Sequence, residues 1–310
     1  MNIGLVTDSK LPNLALMKIS AYMKKQGHNV FLYNPLFSPL PDVIYSSKIF
    51  KISSEYQYYP DGCKIIKGGS GYSLSRKLPD AIEYIYPDYS LFNCKDAIGF
   101  TSRGCIRKCK FCIVPEKEGG IKAVSDIYSF WRDQKKIILL DNNILALPEH
   151  FKLVAGQIKK ENIEVDFNQG LDIRLINEEN SRILAGLRTK ILRFSWDNMK
   201  DEKYILRGIK ILKGAKIPIS KIFFYCLIGY GTTREEDVYR VEKIKEIKAT
   251  AFAMPFNKKD PYQKQFALWV NQHQLCRIMT FEEYKVFHRE RGNKMVIKTK
   301  EKGNNLSLGL

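Results

Sequence analysis

The chain has 310 residues, of which 45% are hydrophobic and 27% charged, the balance of a globular protein with length for one large domain or two smaller ones. No apolar run is long enough to cross a bilayer and no signal peptide opens the sequence, so a cytoplasmic protein with reduced thiols and no membrane partner is expected. The 51 Lys and Arg against 33 Asp and Glu give a net charge of +18, which suits a nucleic-acid partner but, with Lys, Ile and Asn all abundant, also matches a compositional bias.

Residues 1–92 are expected to form a small Rossmann-like α/β domain. Ile3-Gly4-Leu5-Val6 is a short buried strand. Asn13 is a candidate N-cap for a helix whose apolar face includes Leu14, Leu16, Met17, Ile19, Ala21 and Met23. Lys24 and Lys25 suit its last turn, and Gly27 suits the residue just past its end. Further strands are predicted at Val30–Tyr33, Asp42–Tyr45 and Cys63–Ile66, the last running into Gly68-Gly69-Ser70-Gly71. Strand–helix–strand order argues for a parallel sheet.

Residues 93–260 carry a regular beat. Apolar runs centre near Phe100, Ile138, Val165, Arg193, Phe224 and Phe252, and helical patterns fill the gaps at Val124–Trp131, Phe151–Ile158, Glu178–Leu187, Tyr204–Leu212 and Glu235–Ile247. Alternation of this kind predicts parallel βα units, too few for the full ring of a TIM barrel, hence a partial (β/α)6 barrel. Polar residues gather after each strand, where such barrels place their sites. They include Thr101, Ser102 and Arg103, then Asp141, Asn142 and Asn143, then Asp172 and Arg174, then Asp197 and Asn198, and then Gly229 with Thr232. Residues 261–310 form a short C-terminal extension, with helices expected at Phe266–Trp269 and Phe281–Phe287 and a mobile polar stretch from Lys298.

The first strand of the beat runs into Gly104-Cys105-Ile106-Arg107-Lys108-Cys109-Lys110-Phe111-Cys112. A disulfide does not suit a reducing compartment, and a structural zinc needs another Cys or His, whereas the histidines are His28, His150, His273 and His288. The other cysteines, Cys63, Cys94, Cys226 and Cys276, show no paired spacing. Three closely spaced thiolates can hold an iron–sulfur cluster, one ligand short of the usual set, which leaves one iron open. The cations Arg107, Lys108 and Lys110 favour the thiolate form.

The CxxxCxxC spacing of Cys105, Cys109 and Cys112, with aromatic Phe111 before the last cysteine, resembles the signature of radical S-adenosylmethionine (SAM) enzymes. The resemblance implies a 4Fe-4S cluster on the three cysteines, SAM on the open iron, and reductive cleavage to a 5′-deoxyadenosyl radical that acts on a substrate the sequence does not identify. It places Asp141, Asn142 and Asn143 near the SAM amino group, although they do not spell the frequent GGE. It also places Asp197 at the ribose, Gly229 and Phe111 at the adenine, and Arg174 within reach of the carboxylate, with a structural salt bridge as the alternative for Arg174. An acidic electron donor such as flavodoxin or ferredoxin is the implied partner.

The N-terminal domain resembles the cobalamin-binding domain that precedes the barrel in many radical SAM enzymes. Where that family has DxHxxG, this chain has Asp8-Ser9-Lys10-Leu11-Pro12-Asn13, so a degenerate domain that does not bind cobalamin tightly is expected. Two other functions stay open from sequence: a cobalamin-dependent methyltransferase, and a non-catalytic metal-binding protein associated with nucleic acid.

Overall fold

Asn13 starts the first long helix as its pattern predicts: its side chain accepts from the Leu16 N–H at 3.2 Å in the computed structural model, which describes residues 1–289. The mobile stretch expected from Lys298 lies outside the described residues. Contacts divide the chain into two compact units, Met1–Lys190 and the part from Ile191 onward.

The first unit opens with β1 (Asn2–Thr7), α1 (Leu14–Lys25), β2 (Asn29–Leu32), β3 (Val43–Ser47) and β4 (Lys64–Gly68). These strands form one parallel sheet in the order β2-β1-β3-β4, with Ile3 paired to Val30 on one side and to Val43 on the other. Leu16 and Ile19 of α1 pack with Ile3 and Leu5 of β1, and Ile82 of the short α2 (Asp80–Glu83) completes that core. Only the β1–β2 link is helical. The long connection after β3 is pinned by Asp8, whose carboxylate accepts from the N–H groups of Ile49 and Phe50, both at 2.9 Å.

The chain continues through β5 (Ala97–Gly99), β6 (Ser102–Arg103), α3 (Val114–Lys117), β7 (Lys122–Ala123), β8 (Lys136–Leu139), α4 (Pro148–Lys160), β9 (Glu164–Phe167) and α5 (Glu178–Ala185). A second parallel sheet has the order β5-β8-β9, and β6 and β7 make a separate antiparallel ribbon. Ile137, Leu139, Val165 and Phe167 bury with Phe151, Val154 and Ile158 of α4. Gly99 is required by packing, since a Cβ there would lie 2.3 Å from the Phe130 ring. The helix expected at Val124–Trp131 is instead a short 3-10 turn, Ile127–Ser129. Lys122 and Ala123 are drawn into the ribbon, Ser125 donates its hydroxyl to the Phe100 carbonyl, and Asp126 caps the Tyr128 N–H, all of which compete with a helix.

The second unit runs β10 (Leu192–Ser195), α6 (Glu202–Gly214), β11 (Ile222–Ile228), α7 (Arg234–Glu246) and β12 (Thr250–Pro255). Its sheet is parallel in the order β10-β11-β12, so the six strands of the beat lie in two three-stranded sheets, one per unit. Phe194, Ile222 and Phe224 bury with Ile205, Ile209 and Leu212 of α6 and with Val241 and Ile244 of α7. Thr233 and Glu236 start α7 with a reciprocal capping box. The helices α8 (Pro261–Asn271) and α9 (His273–Ile278) follow, then a helical run over 281–289, and the Phe266 ring meets those of Trp269 and Phe281 edge to face. The protein is therefore α/β with parallel sheets and C-terminal helices. Among the described residues no helix is long and apolar enough to cross a membrane.

Candidate metal centre

The three cysteines share one loop of the first unit, and its neck is closed by backbone. Ser102 and Arg103 pair with Ala123 and Lys122 across the β6–β7 ribbon. Gly104 follows at φ +87°, where a Cβ would lie 2.3 Å from the Gly120 carbonyl oxygen, so only glycine fits the crossing. The Cys105 N–H donates to the Gly119 carbonyl at 3.3 Å, and the Cys112 N–H to the Cys109 carbonyl at 3.0 Å. Cys105 and Cys109 are half-buried; Cys112 and Phe111 are exposed.

Donors point at two of the sulfurs. Cys105 Sγ accepts from the Arg107 N–H at 3.3 Å and from Asn143 Nδ2 at 3.4 Å; Cys112 Sγ accepts from the Val114 N–H at 3.5 Å. Such bonds tune a thiolate-bound metal. Among the described residues, no three His, Cys, Asp or Glu side chains form a group that could hold a metal ion. The loop thus keeps its cysteines on one short segment without closing them round a common point. Its donor set, three soft sulfurs, two of them with N–H support, and no histidine within the loop, fits an iron–sulfur cluster better than a four-ligand zinc.

Three consecutive residues after β8 hold the root of this loop. The buried Asp141 carboxylate accepts from the Thr101 N–H at 3.1 Å, the Thr101 hydroxyl at 2.7 Å, the Ser102 hydroxyl at 2.6 Å and the Ser102 N–H. Burial pushes its carboxyl up, against these hydrogen bonds. Asn142 Oδ1 accepts from the Gly104 N–H at 3.0 Å. Asn143 reaches Cys105 Sγ, and its Nδ2 also donates to Asp172 Oδ2 at 3.4 Å. The order of the triplet follows the order of the loop. Asn143 Oδ1 is buried without a hydrogen-bond partner among the described residues.

Asp172 links the loop to the segment after β9. It accepts from Arg107 Nε at 2.8 Å and from Arg174 Nε at 2.7 Å. Burial alone would raise its carboxyl, but the hydrogen bonds and charges of Arg174 and Arg107 prevail and hold it below the ordinary range. Arg174 thus makes the structural bridge that the sequence left as its alternative role. On the far side of the neck, Arg103 pairs with Glu83 at 2.8 Å and Glu118 at 3.2 Å, and its guanidinium lies 3.9 Å from the centre of the Phe100 ring. Glu83 also pairs with Lys18 of α1 at 3.1 Å, and burial lowers that ammonium against the Glu83 charge. Lys117 donates to Ser70 Oγ at 2.7 Å. Glu83, Glu118 and Lys18 carry no local sequence signal for this role, because each works through a partner remote in the chain or in the ribbon.

Asp197 and Gly229 belong to the second unit. Asp197 Oδ1 accepts from the Leu227 N–H at 3.0 Å. Gly229 sits at φ +72°, and a Cβ there would lie 2.1 Å from Gln263 Nε2. Its N–H donates to Asp237 Oδ2 at 3.2 Å. Asp237 also accepts from the Thr232 hydroxyl at 2.7 Å and from Arg240, which is fully buried and donates to the carbonyls of Trp196 and, at 3.0 Å, Leu227. Burial pushes the Asp237 carboxyl up, and Thr232, Arg240 and the Gly229 N–H oppose it.

No protein-family model matches the chain, and no curated protein sequence matches it.

Proposed function

We propose that the chain is a radical SAM enzyme whose 4Fe-4S cluster is held by Cys105, Cys109 and Cys112. The observation that carries this reading is a CxxxCxxC loop at the carboxyl end of a buried parallel strand, with N–H donors directed at two of its sulfurs. When bound, the cluster and SAM supply reductive cleavage to a 5′-deoxyadenosyl radical. The residues of this chain position and tune. Asp141 and Asn142 fix the loop's root, and Asn143 donates to the Cys105 sulfur. The unpartnered Asn143 Oδ1 is an acceptor suited to a cationic amino group. Exposed Lys108 and Lys110 offer positive charge to an acidic electron donor such as flavodoxin or ferredoxin. In this reading Phe111, exposed beside the last cysteine, contributes to the SAM pocket. The four-stranded N-terminal sheet lacks the cobalt-binding histidine, and tight cobalamin binding is not expected.

The test is anaerobic reconstitution with iron and sulfide. The protein should take up about four irons per chain, show the broad visible absorption of a cluster, and form 5′-deoxyadenosine from SAM and dithionite. Serine at positions 105, 109 and 112 together should abolish both the absorption and the product. Zinc in place of iron, with no SAM cleavage, would replace this reading with a structural metal protein. A corrinoid spectrum in the purified protein would overturn the cobalamin expectation.

A further inference from the structure

The cations of the second unit are unevenly matched. On α7, Lys243 pairs with Glu246 at 2.8 Å and Lys245 with Glu242 at 2.9 Å. From Lys203 to Arg234 the sequence holds seven Lys and Arg and no Asp or Glu. Five of those cations, Lys203, Arg207, Lys210, Lys213 and Lys216, are exposed on α6 and the turn that ends it. At 100° per residue, Lys203, Arg207 and Lys210 fall within about 60° of one another around the helix. The opposite face, Ile205, Gly208, Ile209 and Leu212, is buried. Among the described residues Lys203, Lys210 and Lys213 have no ion-pair partner.

An aromatic ring lies within this field. Tyr204 is exposed, with the Lys203 ammonium 5.0 Å and the Arg207 guanidinium 5.6 Å from its ring centre. A solvated helix face needs neither a run without acids nor a bared aromatic. Exposed cations beside a bared ring are the elements by which proteins hold single-stranded nucleic acid: phosphates on the cations and a base on the ring. A folded acidic protein would match the charge but leave the exposed ring without a purpose.

We infer that the outer face of α6 binds single-stranded nucleic acid through its phosphates, with Tyr204 stacking on a base. This does not rest on the iron–sulfur reading, and the assay below needs neither SAM nor a reductant. If the iron–sulfur reading also holds, the inference names nucleic acid as the substrate class.

The probe is a labelled oligouridylate, read by fluorescence anisotropy on the 310-residue chain over a range of salt concentrations. The variant K203E/K210E/K213E should keep its far-ultraviolet circular dichroism, lose roughly tenfold or more in affinity, and flatten the slope of log K against log salt by about two. A control with the same charge change at exposed sites in the first unit, K51E/K64E/K77E, should lose much less. Tyr204→Ala should keep the salt slope but weaken the oligouridylate by roughly fivefold or more, while leaving an abasic oligomer unaffected. Equal losses in the two triple variants would reduce the effect to bulk charge and overturn the inference. It is also overturned if the wild-type chain shows no salt-dependent binding. Displacement of the probe by polyglutamate as readily as by unlabelled oligouridylate would point instead to an acidic polypeptide and overturn it too.

Discussion

In the sheet β5-β8-β9 the strand ends are fastened by Asp141, a buried carboxylate that gathers two hydroxyls and two backbone N–H groups without a cation among those partners. In the sheet β10-β11-β12 the corresponding fastener is Arg240, which gathers carbonyls from Trp196 and Leu227 and is neutralised by Asp237. The two solutions differ in what a lost partner leaves behind. Removing Arg240 strands a carboxylate in a buried place. Altering Asp141 strands backbone donors at the root of the cysteine loop. A buried ion pair is therefore the more brittle fastener, while the carboxylates of both fasteners, pushed up by burial, respond to pH.

The largest effect is expected from breaking the pair. Arg240→Met should cost about 3–5 kcal/mol, read from the urea midpoint at constant m-value. The double variant D237L/R240M should recover much of that loss, because neither charge then remains buried alone. If the double variant is no more stable than the single, the Arg240 bonds to the two carbonyls carry the fold, and the distinction between the fasteners disappears.

Asp141→Asn comes next. The amide keeps the shape but offers one acceptor oxygen to four donors, so about 2 kcal/mol should be lost at neutral pH. Its pH dependence has a definite sign. Burial holds the Asp141 carboxyl above its ordinary 3.8. The native protein keeps that proton after the unfolded chain has released its own. The stabilisation from protonation is thus complete below 3.8 and fades as pH rises through the raised native value. Wild type and D141N, unfolded in parallel from pH 3 upward, should differ with this slope. A flat difference would mean that the hydrogen bonds cancel the burial.

Much of this framework was legible in the sequence. The N-terminal strands and the six later ones follow from apolar runs, and the capped start of α1 follows from Asn13. The loop's location was legible because Gly104 and three cysteines directly follow a buried strand. The direction in which the polar residues after the strands face was not. Asp141 and Asn142 look like ligand contacts by position, yet their side chains turn back to the loop, where unpaired N–H groups had to be satisfied. Glu83 was illegible because its partners, Lys18 and Arg103, lie far from it in the chain. The missing helix at Val124–Trp131 was lost to a ribbon whose other strand lies about twenty residues upstream, beyond what local propensity can report.

Asp172→Asn sharpens the contrast within the first unit, because its pH dependence runs the other way. Arg174 and Arg107 hold the Asp172 carboxyl below its ordinary 3.8 despite burial. Its contribution is present above 3.8 and lost as pH falls through the lowered native value. The variant should cost about 1–2 kcal/mol at neutral pH, and the gap from wild type should close as pH falls below 3.8, whereas D141N shows the opposite slope above 3.8. Equal slopes for the two variants would show that the arginines do not set the difference between these carboxylates.

Asn143→Ala should move stability least and the proposed cluster most. The substitution removes two long hydrogen bonds, both at 3.4 Å, but it also removes a buried oxygen that has no partner. Loss and relief oppose each other, so the change in unfolding free energy should stay within about 1 kcal/mol. The bond to the Cys105 sulfur has no such offset. Hydrogen bonds to cluster sulfurs contribute to the reduction potential, and taking one away leaves more negative charge on the sulfur and makes the oxidised form easier to keep. The reconstituted variant should therefore load iron as wild type does but reduce at a lower potential in a dye-coupled titration. An unchanged potential together with a stability loss above about 2 kcal/mol would make Asn143 a fastener like Asp141, and would remove it from the account of how the cysteine loop is tuned.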